Sequence, residues 1–117
     1  MTTEDYCSYE LSQLLKEKGF DGVCEYAYSN KGNYFEVDRS NFDEVYCLRP
    51  THQMAMKWLR DIYSISIEPY CYEYGWYCGF SQLPKGITIY TSQESKEYGT
   101  YEEVVEAALK YSLENLI

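Results

Sequence analysis

No apolar run in this chain of 117 residues approaches the roughly 18 residues needed to cross a bilayer as a helix. There is no basic segment either. Lys and Arg number 10 against 19 Asp and Glu, for a net charge of −9 and a pI of about 4.5. Without clustered cations to displace counterions from phosphates, direct nucleic-acid binding is not expected. Attraction to an anionic membrane surface is disfavoured for the same reason. The opening residues, MTTEDYCSYE, have neither a basic start nor an apolar stretch, so no signal peptide is expected and the expected compartment is the cytoplasm.

Metal-binding and catalytic patterns are scarce as well. His52 is the only histidine, and the five cysteines contain no CxxC pair, so the closely spaced ligands of a structural zinc site are missing. An odd number of thiols in a reducing compartment is expected to stay unpaired. A glycine-rich phosphate loop, a nucleophile elbow and a metalloprotease helix are all absent. Glu36, Asp38, Asp43 and Glu44 lie close together in sequence, but not at the spacing of a calcium loop; they read as a solvated acidic face. His52 falls in the first turn of a helix, where the dipole lowers its proton affinity, and has no Ser or Cys nucleophile beside it. It reads as a surface histidine. No catalytic residue, cofactor or metal ligand is assigned, and enzymatic activity is not the favoured reading.

What the chain has in abundance is tyrosine, 15 residues of it, within an aromatic content of 18%. Hydrophobic residues at 45% and charged residues at 25% are values of a globular protein, and the length suits one domain, residues 1–117. TTEDYCSYELSQLLKEKGF predicts a helix capped by Thr2 or Thr3, with Cys7, Leu11, Leu14 and Leu15 on one stripe and Gly19 as its stop. VCEYAYS and NYFEVD, separated by NKG, predict a hairpin. RSNFDEVYCLRP reads either as a loop or as a short third strand.

THQMAMKWLRDIY predicts a second helix, capped by Thr51 and apolar at Met54, Ala55, Trp58, Leu59 and Ile62. Three strands are expected in SISIEPYCYE, WYCGFSQL and ITIYT, with a turn at LPKG. SQESKEYG is a polar connection. A last helix starts with a capping box at Thr100 and Glu103 and buries Val105, Ala108, Leu109 and Leu116. The order is α-β-β-α-β-β-β-α. The simplest fold is α+β, a two-layer domain with an antiparallel sheet and helices on one face.

The stretch IEPYCYEYGWYCGF is the densest aromatic segment. A two-residue turn at Tyr74-Gly75 would set Cys71 opposite Cys78 and Tyr72 opposite Tyr77. Alternation then puts Ile65, Ile67, Cys71, Trp76, Cys78 and Phe80 on a core face. Tyr70, Tyr72 and Tyr77 fall on the other, with Ser66, Glu68 and Ser81 around them. The two cysteines read as small buried apolar groups, although opposed cysteines also allow a cross-strand disulfide. Because tyrosine offers a large contact area at low entropic cost, Tyr70, Tyr72 and Tyr77 are the candidate binding residues. The alternative is a purely structural cross-strand ladder.

Two resemblances rest on particular segments. The order α-β-β-β-α from Thr51 to Ile117 is similar to that of double-stranded-RNA-binding domains, but their lysine cluster at the last helix is replaced here by TYEEVVEAALK. The resemblance therefore implies element order alone. DYCSYELSQLLKEKGF, PTHQMAMKWLRD and TYEEVVEAALKYSLENLI together resemble a family of small proteins from gut bacterial genomes and their phages, for which no activity is assigned. That resemblance implies a mobile-element protein of a bacterial cytoplasm, with helices as scaffold and hairpins as the recognising part. The first expectation for function is a non-enzymatic protein–protein interaction module with an unknown protein partner. The alternatives are an acidic nucleic-acid mimic that blocks a DNA-binding or defence protein, and a small-ligand binder or enzyme walled by the aromatic strands.

Overall fold

The computed structural model describes residues 5–72, 75–82, 87–91 and 99–117. The elements are α1 (Tyr9–Glu17), β1 (Tyr26–Tyr28), β2 (Tyr34–Glu36), a 3-10 turn (Phe42–Glu44) and β3 (Cys47–Arg49). Then come α2 (His52–Tyr63), β4 (Ile65–Tyr72), β5 (Gly75–Gln82), β6 (Ile87–Thr91) and α3 (Tyr101–Tyr111), which runs on into a π-type turn at Ser112–Leu116. This is an α+β fold. The segment that read as loop or strand is a strand, β3, and the strands form two three-stranded antiparallel sheets, β2-β1-β3 and β4-β5-β6. The chain divides into two compact units, Met1–Ala55 and Met56–Ile117, and α2 runs across the division.

In the first unit, α1 begins later than the sequence suggests. Ser8 is its cap: the backbone there is extended, and the hydroxyl accepts from Leu11 N–H at 3.1 Å. The expected caps Thr2 and Thr3 lie outside the described residues. Asp5–Ser8 is drawn out of the helix by pairing. Cys7 N–H donates to Pro50 O at 2.9 Å, His52 N–H donates to Asp5 O at 2.8 Å, and Tyr6 bridges Thr51. Inter-segment hydrogen bonds here override local helix preference. At the other end Gly19, at φ +90, closes α1 as expected. Gly19 N–H donates to Lys16 O and Phe20 N–H to Leu15 O, the paired bonds of a Schellman stop. Leu11 and Leu15 are buried.

In the second unit, β4 and β5 pair over their full lengths, from Ile65 opposite Gln82 to Tyr72 opposite Gly75. Pro69 sits in β4, an edge strand, where a missing N–H is tolerated. Helix α3 packs on β4 and β5. Trp76 meets Tyr101 edge-on at 5.4 Å, and Phe80 lies 5.6 Å from Tyr111. Thr100 caps α3, its hydroxyl accepting from Glu103 N–H at 3.1 Å, and Thr51 does the same for α2 through Met54 N–H. Both caps agree with the sequence reading. The buried stripe of α3 is Val104, Val105, Ala108 and Leu109, continued by Leu113; Leu116 is only half-buried. On α2, Ile62 is 60% exposed and Met56 is buried in its place. No helix among the described residues is long and apolar enough to cross a membrane. The turn at 83–86 and the connection at 92–98 lie outside the described residues.

Candidate functional site

The site predicted from the tyrosines is built by the pleat of the β4–β5 hairpin. Side chains alternate across the two strands. Ile67, Trp76, Cys78 and Phe80 therefore share the face that α3 covers, and Ser66, Glu68 and Tyr70 turn the other way with Tyr77, Gly79 and Ser81. Tyr70 stands directly opposite Tyr77, and the two rings stack at 5.7 Å between centres with an interplanar angle of 24°. Tyr70 is 46% exposed. Tyr72 pairs with Gly75; its side chain lies outside the described residues. Two of the three predicted tyrosines are thus brought together, and one of them faces outward.

The polar neighbours of the stack are arranged by a glycine. Glu68 lies opposite Gly79. With no side chain there, Glu68 Oε1 reaches diagonally and accepts from the Ser81 hydroxyl at 3.1 Å. A carboxylate is thereby held next to the tyrosine pair, on a face that is exposed at Glu68 and Tyr70 and buried at Gly79 and Ser81. On the opposite face, burial pushes the Cys78 thiol up to about 12, so it is a neutral, apolar core group.

The pairing itself differs from the expected register by two residues. Cys71 lies opposite Trp76 and Cys78 opposite Pro69. The expected turn at Tyr74-Gly75 is replaced by a connection at 73–74, outside the described residues. A shift of two leaves each side chain on its predicted face, which is why the face assignment holds while the partners change. The two cysteines are not opposed, and all five cysteines are thiols rather than disulfides. Two burial expectations also change. Cys71 is exposed, and Trp76 is half-buried.

His52 is a further correction: it is 4% exposed rather than superficial. Its position four residues before Met56 and seven before Leu59 puts it on the buried stripe of α2, a spacing that was readable. Asp38 commits its carboxylate to a local turn, accepting from Ser40 N–H, Ser40 Oγ and Asn41 N–H. The Ser40 hydroxyl holds its pKa below the usual carboxylate range. Among the described residues, no three His, Cys, Asp or Glu side chains gather as a metal site would require.

One constellation escaped the sequence. In the first unit the guanidinium of Arg49 lies 4.2 Å from the Tyr6 ring centre and 4.0 Å from that of Tyr34, with Tyr26 and Tyr28 at 5.8 and 5.7 Å. Its Nε donates to the Tyr28 hydroxyl at 3.2 Å. Tyr26, Tyr28 and Tyr34 could be placed on one face by alternation, but Tyr6 and Arg49 arrive from distant segments. Here the chain itself shows how paired tyrosine faces hold a planar cation.

Compared with models of protein families, with curated proteins and with solved structures, the chain matches none.

Proposed function

We propose that this protein is a non-enzymatic protein-interaction module that docks through the Tyr70–Tyr77 face of the β4–β5 hairpin. The observation that carries this reading is the stacked pair itself, on the sheet face turned away from α3, with Tyr70 exposed. A half-exposed stack beside a carboxylate suits one feature of a partner above others: a basic side chain, arginine in particular. The ring face attracts the cation through its quadrupole, and Glu68 supplies the counter-charge. The Tyr6–Arg49–Tyr34 arrangement is an internal precedent for the same chemistry. The resemblance to small proteins of gut bacteria and their phages supports a host or phage protein as the partner, in a bacterial cytoplasm.

The test is affinity capture from a gut-bacterial lysate with the wild-type chain and a Tyr70→Ser/Tyr77→Ser variant whose fold is checked by circular dichroism. A partner retained by the first and lost by the second is expected. The same partner on both would move the interface elsewhere.

A further inference from the structure

A cleft of about 160 Å³ opens beside α1 and β3, within the first unit. Phe20, Val45 and Leu48 give it apolar walls, and Cys47, Ser12 and Lys16 complete it with the ring of Tyr46. The unusual member is Ser12. It is 1% exposed, yet its hydroxyl has no hydrogen-bond partner. Ser112, also buried and helical, satisfies itself by donating to Ala108 O four residues back at 2.9 Å, the usual solution inside a helix. Buried hydroxyls are seldom left unpaired, and this one belongs to a residue that lines the cleft.

A cation stands next to it. Lys16 follows Ser12 by four residues, so both project from one face of α1, and its ammonium lies 4.0 Å from the Tyr46 ring centre. The carbonyls at the end of α1 already accept from Lys18, Gly19 and Phe20 N–H groups, which blunts the negative end of the helix. Burial raises the Cys47 thiol to about 11, so it lines the cleft as a neutral group.

We propose that this cleft binds a small monocarboxylate with a short apolar body. One carboxylate oxygen accepts from the Ser12 hydroxyl and pairs with the Lys16 ammonium, and the apolar part lies against Phe20, Val45 and Leu48. Size sets the class, because an apolar cavity of roughly 150 Å³ holds one benzene ring. An aromatic acid with a single ring, or a branched short-chain acid, is what fits. One cation and one hydroxyl suit a carboxylate better than a phosphate, which calls for more donors. The site is independent of the Tyr70–Tyr77 face.

The test is a titration of the isotope-labelled full chain with sodium benzoate, followed through its amide resonances. Saturable shifts centred on Ser12, Val45 and Cys47 are expected, with a Kd of about millimolar for a ligand of this size. Affinity should fall by about tenfold or more in Ser12→Ala and in Lys16→Met. Benzyl alcohol, with the same ring and no carboxylate, should bind about tenfold more weakly than benzoate. Shifts still linear at about 10 mM benzoate, equal affinity for the two probes, or unchanged affinity in either variant would overturn the proposal. Ser12→Ala removes an unpartnered hydroxyl from an apolar site, and retained dispersion of the remaining resonances verifies its fold.

Discussion

Arg49 donates through Nε to the Tyr28 hydroxyl at 3.2 Å, and that hydroxyl donates onward to the Cys7 carbonyl at 2.8 Å. Three segments of the first unit, the stretch before α1, β1 and β3, are joined by this relay. Arg49→Lys keeps the charge but loses the planar fork that lies between Tyr6 and Tyr34. The expected loss is about 1–2 kcal/mol, read as a lower urea midpoint with an unchanged slope. Tyr28→Phe breaks both hydrogen bonds and strands the Cys7 carbonyl, so a loss of about 1–3 kcal/mol is expected. Midpoints equal to wild type would show that the relay is ornamental to stability.

The helix caps give a second prediction. Ser8→Ala and Thr100→Ala each remove a side-chain acceptor from a helix start, and each should cost about 1 kcal/mol. Ser→Gly at position 8 should cost only a few tenths, because glycine exposes the same N–H groups to water. Denaturation midpoints check all three. A silent Ser8→Ala would return the start of α1 to the residues before it.

These caps also show what the sequence carried and what it did not. Thr51 and Thr100 precede strongly periodic stripes, so local pattern was enough to find them. Ser8 was missed because Tyr6 pairs with Thr51 and Cys7 with Pro50, contacts between segments more than forty residues apart that no local rule contains. The hairpin is the mirror case. Period-two alternation gave the correct face for Tyr70 and Tyr77, yet it cannot fix a register that differs by an even number. The same limit led to Cys71 being opposed to Cys78; its exposure is a separate matter, because Cys71 keeps its predicted face and lies next to the end of β4. The Arg49 constellation needs four tyrosines from three chain segments, and only the fold brings them together.

The thiols supply a prediction in pH. Cys78 is raised from 9.0 to about 12, and Cys24 and Cys47 from 9.0 to about 11, each by burial. A raised folded-state value means that the folded chain binds the proton more tightly than the unfolded one. The corresponding stability is fully present below about pH 9 and is lost as pH rises toward about 12. The denaturation midpoint should therefore fall across that window, and Cys78→Ala should flatten the fall. Under native conditions near neutral pH, Cys71 should be alkylated first, since it is exposed while Cys7 and Cys78 are fully buried. Equal labelling of Cys71 and Cys78 in the folded chain would contradict the exposure of the first and the burial of the second.

Salt separates an interaction module from a nucleic-acid mimic. A mimic presents many charges to a site made for phosphates, so its affinity should fall steeply as salt rises. Docking through stacked rings and one carboxylate engages few charges. Its affinity should fall by no more than about threefold between low and physiological salt. Measuring the captured complex at two salt concentrations makes the distinction, and a loss of about a hundredfold would favour the mimic.

The two faces of β4–β5 should respond to mutation in opposite ways. Phe80 is fully buried against α3, and Phe80→Ala should cost about 3–5 kcal/mol. Trp76 is half-buried, so Trp76→Ala should cost less, about 2–3 kcal/mol, through lost area and the edge contact with Tyr101. Tyr70→Ser removes a half-exposed ring from its stack on Tyr77, and about 0.5–1 kcal/mol is expected. Binding should invert this order: Tyr70→Ser and Glu68→Gln should abolish capture of the partner while leaving the fold intact. A protein that used its tyrosines only to hold the hairpin would lose stability in proportion to binding at every position. Parallel measurement of denaturation midpoints and capture for these four variants therefore distinguishes a recognition surface from a cross-strand ladder. The distinction holds whichever protein is captured, because the criterion is the divergence of two quantities on one chain.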